Sequence, residues 1–396
     1  MRKLTEAEKQ RLIQLAQDLV GIDSAITSPE QANRDRTEER MAEYLTNHLR
    51  CMGMTVERQE VFPGRPNLMA HWPGQGDKKS LMLEAHMDTV TVEGMTIDPF
   101  AAEVRDGRIW GRGTCDTKGN MAAFLTGLEI AYRRGQLPAD KLYFVATMSE
   151  ETCCVGSAAL MEHGFRTDAA IVGEATGCRV ITAHKAPLWL EIETTGRSCH
   201  ASIPDQGVNA IEAMVRIVEF IHGPWTRHLQ QTMHPLLGQS TMQVTTIEGG
   251  SKINIIPSRC RVQVDGRIIP GKNPEEVTAE LRRMLADHLG GTASFQILSE
   301  QSRPAMDTPP DAPLVRKLMP LCRQAAGQTG AIGVNYFADT GPFTQAGITS
   351  VLFGAGDIAQ AHTADEFLDL DQLFLATEIM LALLTDNAGR SIVESG

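Results

Sequence analysis

The spacing of apolar residues changes along this chain, and each spacing predicts a different element. Thr5 and Glu8 form a capping-box pattern, and the apolar face that follows ends near Gly21, which predicts an N-terminal helix. A second helix-like stretch covers about Glu38–Met52. Four short apolar runs are each typical of a buried strand: Leu81–Leu83, Leu142–Ala146, Ala169–Val172 and Val351–Phe353.

Helical patterns alternate with these strand-like runs. Met121–Arg134 is amphipathic and is followed by Gly135, a common helix end. Alternating strands and helices predict an α/β fold whose sheet is covered by helices on both faces.

The middle third of the chain has a different pattern, in which predicted strands follow one another more closely. Strand patterns lie at Leu188–Thr194, Thr241–Ile247, Cys260–Val264 and Ser294–Leu298, and helix patterns at Val208–Ile221 and Pro274–Leu289. The order β-α-β-β-α-β predicts a small α+β domain inserted into the larger one. We therefore expect an inserted domain at residues 182–296, with a catalytic domain formed by residues 1–181 and 297–396.

The length of the chain and its net charge limit the kinds of function that fit the sequence. A chain of 396 residues is long enough for two domains. A formal net charge of −12, without a basic run, argues against a nucleic-acid partner. The sequence shows no signal-peptide pattern, and no stretch approaches the roughly 18 apolar residues of a membrane span. The eight cysteines form no Cys-x-x-Cys pair, so we expect reduced thiols and a cytoplasmic protein that binds no membrane.

Residues of metal-ligand type follow every predicted core strand. In chain order the runs lead to His86 and Asp88, to Glu150 and Glu151, to Glu174, and, after a glycine turn, to His362. Ligands gather at the carboxyl ends of strands in open α/β sheets, so these side chains are expected at one edge. Each has a plainer interpretation when taken alone, such as a strand-end histidine or a solvated acid pair.

The loop 111–119 is bracketed by glycines and leads into a helix. It lacks the Gly-Lys-Ser/Thr ending of a phosphate loop, which disfavours nucleotide binding. Its Asp116 is suited to bridging two cations, although an N-cap role is the alternative.

The number of candidate ligands favours two metals. The set comprises His86, Asp116, Glu151, Glu174 and His362. A single catalytic zinc uses three protein ligands, whereas five with one bridging carboxylate suit two ions. The imidazoles favour zinc, with Co²⁺ or Mn²⁺ as substitutes. Of two adjacent acids, one can bind metal while the other acts as general base.

Five motifs occur in order along nearly the whole chain: His-Met-Asp-Thr-Val, Gly-Arg-Gly-x-x-Asp-x-Lys-Gly, Ser-Glu-Glu-Thr, Ile-Val-Gly-Glu and Ala-His-Thr-x-x-Glu. Together they resemble the zinc metallopeptidase family that contains acetylornithine deacetylase, succinyl-diaminopimelate desuccinylase, aminoacylase and the glutamate carboxypeptidases. The resemblance implies a sheet of the zinc-hydrolase type and two Zn²⁺ per subunit. It also implies that the inserted α+β domain serves for dimerisation or as a lid, which predicts a homodimer.

The resemblance assigns roles to the metal-site residues. His86, Asp116 and Glu174 bind one zinc with Asp116 bridging, Glu151 and His362 complete the other, Glu150 is the general base, and Asp88 orients His86. Ala175 stands where many relatives have proline, which we expect to alter loop stiffness more than chemistry.

Further residues are assigned by resemblance in the inserted domain. The loop 196–202 looks like the family's Gly-x-x-x-His-Ala/Ser loop, which implies that His200 enters the partner subunit's site and stabilises the oxyanion. Without the resemblance, His200 is a surface loop residue. Asn254 and Arg267 look like substrate contacts, and Gly354 could add a backbone donor.

The expected function is removal of an N-acyl group from an amino acid, as acetylornithine deacetylase does. The alternative is a carboxypeptidase or dipeptidase, because both reactions cleave an amide and the metal site does not separate them. A catalytically silent binding protein is disfavoured because every expected catalytic position is kept. The acyl group and the amino-acid side chain stay open.

Overall fold

The computed structural model describes residues 1–26, 38–73, 79–291 and 293–394. The chain divides into two compact units. The first consists of Met1–Thr182, Thr308–Ile332 and Ala338–Gly396, and the second of Ala183–Asp307 with Gly333–Phe337. Each unit has its own apolar core.

The elements of the first unit begin and end as follows. Its helices are α1 Glu6–Val20, α2 Glu39–Cys51, α3 Lys118–Arg133, α4 Val155–Glu162, α8 Pro313–Ala326, α9 Thr340–Gln345 and α10 Leu370–Asp386. Its strands are β1 Thr55–Phe62, β2 Arg65–His71, β3 Ser80–His86, β4 Glu103–Arg105, β5 Arg108–Trp110, β6 Lys141–Thr147, β7 Ala169–Gly173, β19 Thr349–Phe353 and β20 Phe367–Asp369.

The second unit holds the remaining elements. Its helices are α5 Ala210–Phe220, α6 Thr226–Leu229 and α7 Pro274–Leu289, with a π-helical turn at Ile221–Trp225. Its strands are β8 Ala183–His184, β9 Ala186–Thr195, β10 Cys199–His200, β11 Met233–His234, β12 Gly238–Gln239, β13 Thr241–Gly249, β14 Ile255–Ile256, β15 Arg259–Ile268, β16 Ser294–Ser302, β17 Met306–Asp307 and β18 Gly333–Val334.

The first unit is built on a six-stranded mixed sheet with the order β1-β2-β6-β3-β7-β19. The four strands from β6 to β19 run parallel, and every residue of β3 is buried, as a strand covered on both faces must be. This confirms the predicted α/β class. The hairpin of β1 and β2 was not predicted, because β2 buries polar residues such as Arg65 and Asn67.

The start of helix α1 is stabilised by a capping box between Thr5 and Glu8. Thr5 caps α1: its hydroxyl accepts a hydrogen bond from the Glu8 N–H at 3.3 Å, and its own N–H donates to the Glu8 carboxylate at 2.8 Å. Helix α3 is buried almost all round and packs against α10, where a Cβ on Gly127 would lie 3.3 Å from Met380 Cγ. It begins at Lys118, earlier than the apolar pattern predicted.

The second unit contains a four-stranded antiparallel sheet with the order β13-β15-β9-β16. Helices α5 and α7 pack on one face of this sheet, and their apolar residues share a core with Leu188, Ile192 and Trp225. This arrangement confirms the predicted small α+β domain. Among the helices of the described ranges, none is both long and apolar enough to cross a bilayer.

Candidate metal centre

The carboxyl ends of the parallel strands bring the predicted ligands of the first unit together. His86 is the last residue of β3 and is buried. Its Nε2 lies 3.0 Å from Asp116 Oδ1, and its Nδ1 lies 2.9 Å from the main-chain oxygen of Asp88. The contact of Nδ1 with the Asp88 main chain therefore orients the imidazole so that Nε2 faces Asp116.

Asp116 lies between two imidazoles. Its Oδ1 faces His86, and its Oδ2 lies 3.3 Å from His362 Nε2. The same His362 nitrogen is 3.1 Å from Glu151 Oε2. Ligand atoms of His86, Asp116 and Glu151 all lie within 4.8 Å of one another. One carboxylate oxygen thus points toward each half of the cluster, as a bridging ligand requires.

Glu174 directly follows β7 and is buried next to this cluster. Burial raises the pKa of its carboxyl well above the ordinary value, and the charge of Asp116 is the next largest cause. Several carboxylates buried together are costly unless nearby positive charge compensates them. The oxygen and nitrogen donors of the site are ligands that divalent cations such as zinc prefer. The residues present therefore fit a metal centre.

The charges in the cluster act strongly on one another. Burial opposes ionisation of Asp116, but hydrogen bonds from His362 and His86 lower its pKa below the ordinary value. Conversely, Asp116 and Glu151 raise the pKa of His362 to about 10. Burial raises the pKa of Glu150 well above its ordinary value, and repulsion from Glu174 and Glu151 adds to this, against the opposing charge of His86.

Asp88 holds the pair of acids through their backbone. Its Oδ1 accepts the Glu150 N–H at 3.0 Å, and its Oδ2 accepts the Glu151 N–H at 3.1 Å. Its nearest carboxylate oxygen is 3.5 Å from His86 Nδ1. The sequence predicted only the contact with His86, because spacing along a strand gives no information on backbone N–H groups that arrive from β6.

Glu38 also binds the backbone beside the acid pair, and the sequence did not predict this contact. Its Oε1 accepts the N–H of Ser149, whose φ of 58° is left-handed, at 3.2 Å. Arg65 binds both oxygens of Glu38 at 2.6 and 2.5 Å, and both side chains are fully buried. Three successive N–H groups of the Ser149–Glu151 turn are thus bound by buried carboxylates, which stabilises a strained backbone.

The predicted residues of the second unit occupy different surroundings. His200 is exposed in β10, which pairs with β14, and its Nδ1 lies 2.7 Å from the Ser202 hydroxyl. Asn254 is also exposed, and its main-chain oxygen accepts the Ala201 N–H at 2.9 Å. Their catalytic and substrate-binding roles stay predictions.

Arg267 of β15 is paired within its own strand. Its guanidinium donates to both oxygens of Asp265 at 2.8 and 2.9 Å, and lies 5.4 Å from the ring centroid of Phe337. A substrate carboxylate that binds Arg267 would compete with Asp265.

Gly354 is required by packing. Its N–H donates to Thr176 Oγ1 at 3.0 Å, and a Cβ at this position would approach Asn120 Oδ1 to 2.4 Å and the Glu174 main-chain oxygen to 2.5 Å. The N–H groups of Ala355 and Gly356 also donate within the chain. A substrate could use the predicted Gly354 donor only by displacing its bond to Thr176.

Comparisons with known proteins identify a family of peptidases. The model of peptidase family M20/M25/M40 matches residues 82–386. The acetylornithine deacetylase of Proteus mirabilis (strain HI4320) is 33% identical over 382 residues, which cover 94% of this chain and 95% of that protein. The acetylornithine deacetylase of Myxococcus xanthus is 31% identical, with 84% and 88% covered.

Solved structures share the fold. A tripeptidase from Staphylococcus aureus has a TM-score of 0.77 at 23% identity, and covers 96% of this chain and 98% of its own. A metallo-carboxypeptidase of the M20 family from Sulfolobus solfataricus has a TM-score of 0.77 at 19% identity, with 96% and 99% covered.

Proposed function

The chain belongs to peptidase family M20/M25/M40, and we propose that within this family of hydrolases it removes the acyl group from an N-acyl amino acid. Membership confirms the resemblance found in the motifs and implies a centre for two metal ions. The finer assignments, namely zinc, the role of each residue, the homodimer and the acyl substrate, are part of the proposal.

The position of Asp116 is the observation on which the proposal depends most. Its two oxygens face His86 and His362 at 3.0 and 3.3 Å, so that one ion on each side would share this carboxylate. Glu174 would complete the coordination on the His86 side, and Glu151 on the His362 side. Zinc suits this mixed set of imidazole and carboxylate ligands, and Co²⁺ or Mn²⁺ could substitute.

Two bound divalent ions would lower the pKa of an attacking water and polarise the amide carbonyl. Glu150 would accept the proton of that water and return it to the leaving amine. Two features support this role: the N–H of Glu150 is held by Asp88 at 3.0 Å, and burial raises the pKa of its carboxyl well above the ordinary value. A carboxylate with a raised pKa is a stronger base, which suits it to taking up the proton of the attacking water.

The substrate class rests on the curated relatives. Those cited above are named acetylornithine deacetylase and are matched over most of their length. The second candidate is a carboxypeptidase or dipeptidase reaction, which the names of the similar structures favour. His200 would stabilise the oxyanion from a partner subunit, and Asn254 and Arg267 would contact substrate.

A substrate panel tests the proposal. Purified protein reconstituted with zinc is offered N-acetyl and N-succinyl amino acids, N-acetylornithine among them, together with dipeptides and tripeptides, and amine release is measured. We expect turnover of acyl amino acids that a chelator abolishes and zinc restores. Cleavage of peptides alone would replace the proposal by its alternative, and turnover unaffected by a chelator would refute the metal mechanism.

A further inference from the structure

A buried acid outside the proposed ligand set contacts the loop that carries Asp116. Glu366 is fully buried, and its Oε1 accepts the N–H of Cys115 at 2.8 Å and of Asp116 at 3.2 Å. Its Oε2 accepts the N–H of Gly113 at 3.1 Å. One side chain therefore binds three N–H groups of the loop, including that of the proposed bridging residue itself.

Arg112 balances the charge of this acid. Its Nη1 lies 2.8 Å from Glu366 Oε2, and its Nε donates to the Thr91 main-chain oxygen at 3.2 Å. Only 3% of the Arg112 side chain and 1% of the Glu366 side chain are exposed. Removing one member of such a buried pair leaves an uncompensated charge, so the two groups hold each other in place.

The same contact joins two ligand-bearing segments. Glu366 belongs to the segment that begins with His362, and its main-chain oxygen accepts the N–H of Gly111 at 3.0 Å. The main-chain oxygen of Ala364 accepts the N–H of Thr96 at 2.8 Å. The His362 segment and the Asp116 loop are thus connected both by the main-chain bond to Gly111 and through the Glu366 carboxylate.

We propose that Glu366, paired with Arg112, is a positioning residue that sets the distance between Asp116 and His362 and thereby the affinity of the metal centre. The proposal rests on the proposed function, because it takes Asp116 and His362 as ligands. Glu366 does not itself contact metal or substrate in this scheme. Groups that support ligands in this way typically contribute about 10- to 100-fold in metal affinity.

The test replaces the charge but keeps the size of the side chain. In Glu366→Gln, one oxygen remains to accept backbone N–H groups, whereas the other is replaced by an NH₂ group that faces N–H donors and Arg112. We expect zinc affinity of the full chain, measured by competition with a chromophoric chelator, to fall about 10- to 100-fold. Activity should recover at high zinc with little change in KM.

Glu378 offers a matched control. It is also a buried acid of the first unit: its Oε1 accepts the Leu4 N–H at 3.0 Å, and its Oε2 binds Lys3 Nζ at 2.8 Å. Glu378→Gln should lower stability and leave zinc affinity unchanged. If Glu366→Gln behaves in the same way, the acid is merely structural and the proposal is overturned.

Two further variants separate the possible failures. Asp116→Asn should lose zinc; if it binds zinc normally, the metal assignment is wrong whatever Glu366 does. If Glu366→Gln does not fold, Arg112→Lys takes its place, because lysine keeps the charge but loses the guanidinium fork. Weakened zinc binding in Arg112→Lys supports the positioning role, and unchanged binding contradicts it.

Discussion

The metal-site region of the first unit and the His200 loop of the second unit are built in opposite ways. In the first, His86 and Asp116 are buried and the backbone around them is held by buried acids such as Asp88 and Glu366. In the second, His200 is exposed, and its ring contacts Ser202 two residues away. The first region fixes its own geometry, whereas the role proposed for His200 requires a site outside its own loop.

The ion pairs of the two regions differ in the same way. Arg65 and Glu38 are both fully buried near the acid pair, while Arg267 and Asp265 of the second unit keep 27% and 31% of their side chains exposed. A partly exposed pair exchanges partners at lower cost than a fully buried pair, which costs about 3–5 kcal/mol to break. Rigid pairs therefore support the metal site, and an exchangeable pair lies where we propose that substrate binds.

The largest effect on activity should come from replacing the proposed base of the metal-site region by a side chain of the same size. Glu150→Gln keeps the side-chain volume and the N–H bond to Asp88 but removes the proposed base. We expect kcat to fall by about 10³-fold or more, with zinc stoichiometry unchanged. Steady-state kinetics and metal analysis of the same preparation measure both quantities.

Glu162→Gln is the control, since Glu162 is exposed at the end of α4 and should tolerate the change. If Glu150→Gln keeps near-normal turnover, Glu150 is not the base. If it loses its zinc, the residue belongs to the ligands instead.

The sequence predicted the parts of the metal site that depend on strand ends. The runs before His86 and Glu174 were correctly interpreted as buried parallel strands, and the carboxyl ends of parallel strands meet at one edge. This rule works from local pattern alone. It therefore indicates the proposed ligands without any information on contacts between distant residues.

The supporting residues escaped prediction because their partners are distant in sequence and are backbone groups. Glu38 binds the N–H of Ser149, and Glu366 binds that of Asp116, across separations that no periodicity reveals. Gly354 was predicted as a donor to substrate, which stays a prediction, and the close approach of Asn120 that also requires a glycine there was not predicted. Side-chain patterns predict which elements form, whereas such contacts depend on how the elements pack.

The stability of the second unit should depend on pH through the buried His184. His184 of β8 is fully buried with its Nδ1 2.9 Å from the Lys185 main-chain oxygen, and burial lowers its pKa from 6.5 to about 4. Between these values the unfolded chain binds more protons, so stability rises with pH. The contribution of His184 is complete above pH 6.5, and about 3 kcal/mol is lost as pH falls to about 4.

His184→Asn, which keeps a side-chain donor but does not titrate, should reduce the loss of stability between these pH values. Urea unfolding followed by circular dichroism measures the difference. His163→Asn serves as the control, because His163 is exposed beyond α4. Equal acid sensitivity of His184→Asn and the unmodified chain would show that His184 is not the sensitive group.

The smallest expected effect tests whether the exposed loop acts on a partner subunit. His200→Ala should lower kcat by about 10²-fold through loss of an oxyanion donor, with zinc affinity unchanged, whereas Ser202→Ala should be nearly neutral. Mixing His200→Ala with Glu150→Gln then decides the geometry. If His200 acts across a dimer, mixed dimers contain one site with both residues intact, and activity rises well above that of either variant. If mixing restores nothing although subunits exchange, His200 acts within its own chain or not at all, and the contrast between the two regions concerns structure rather than catalysis.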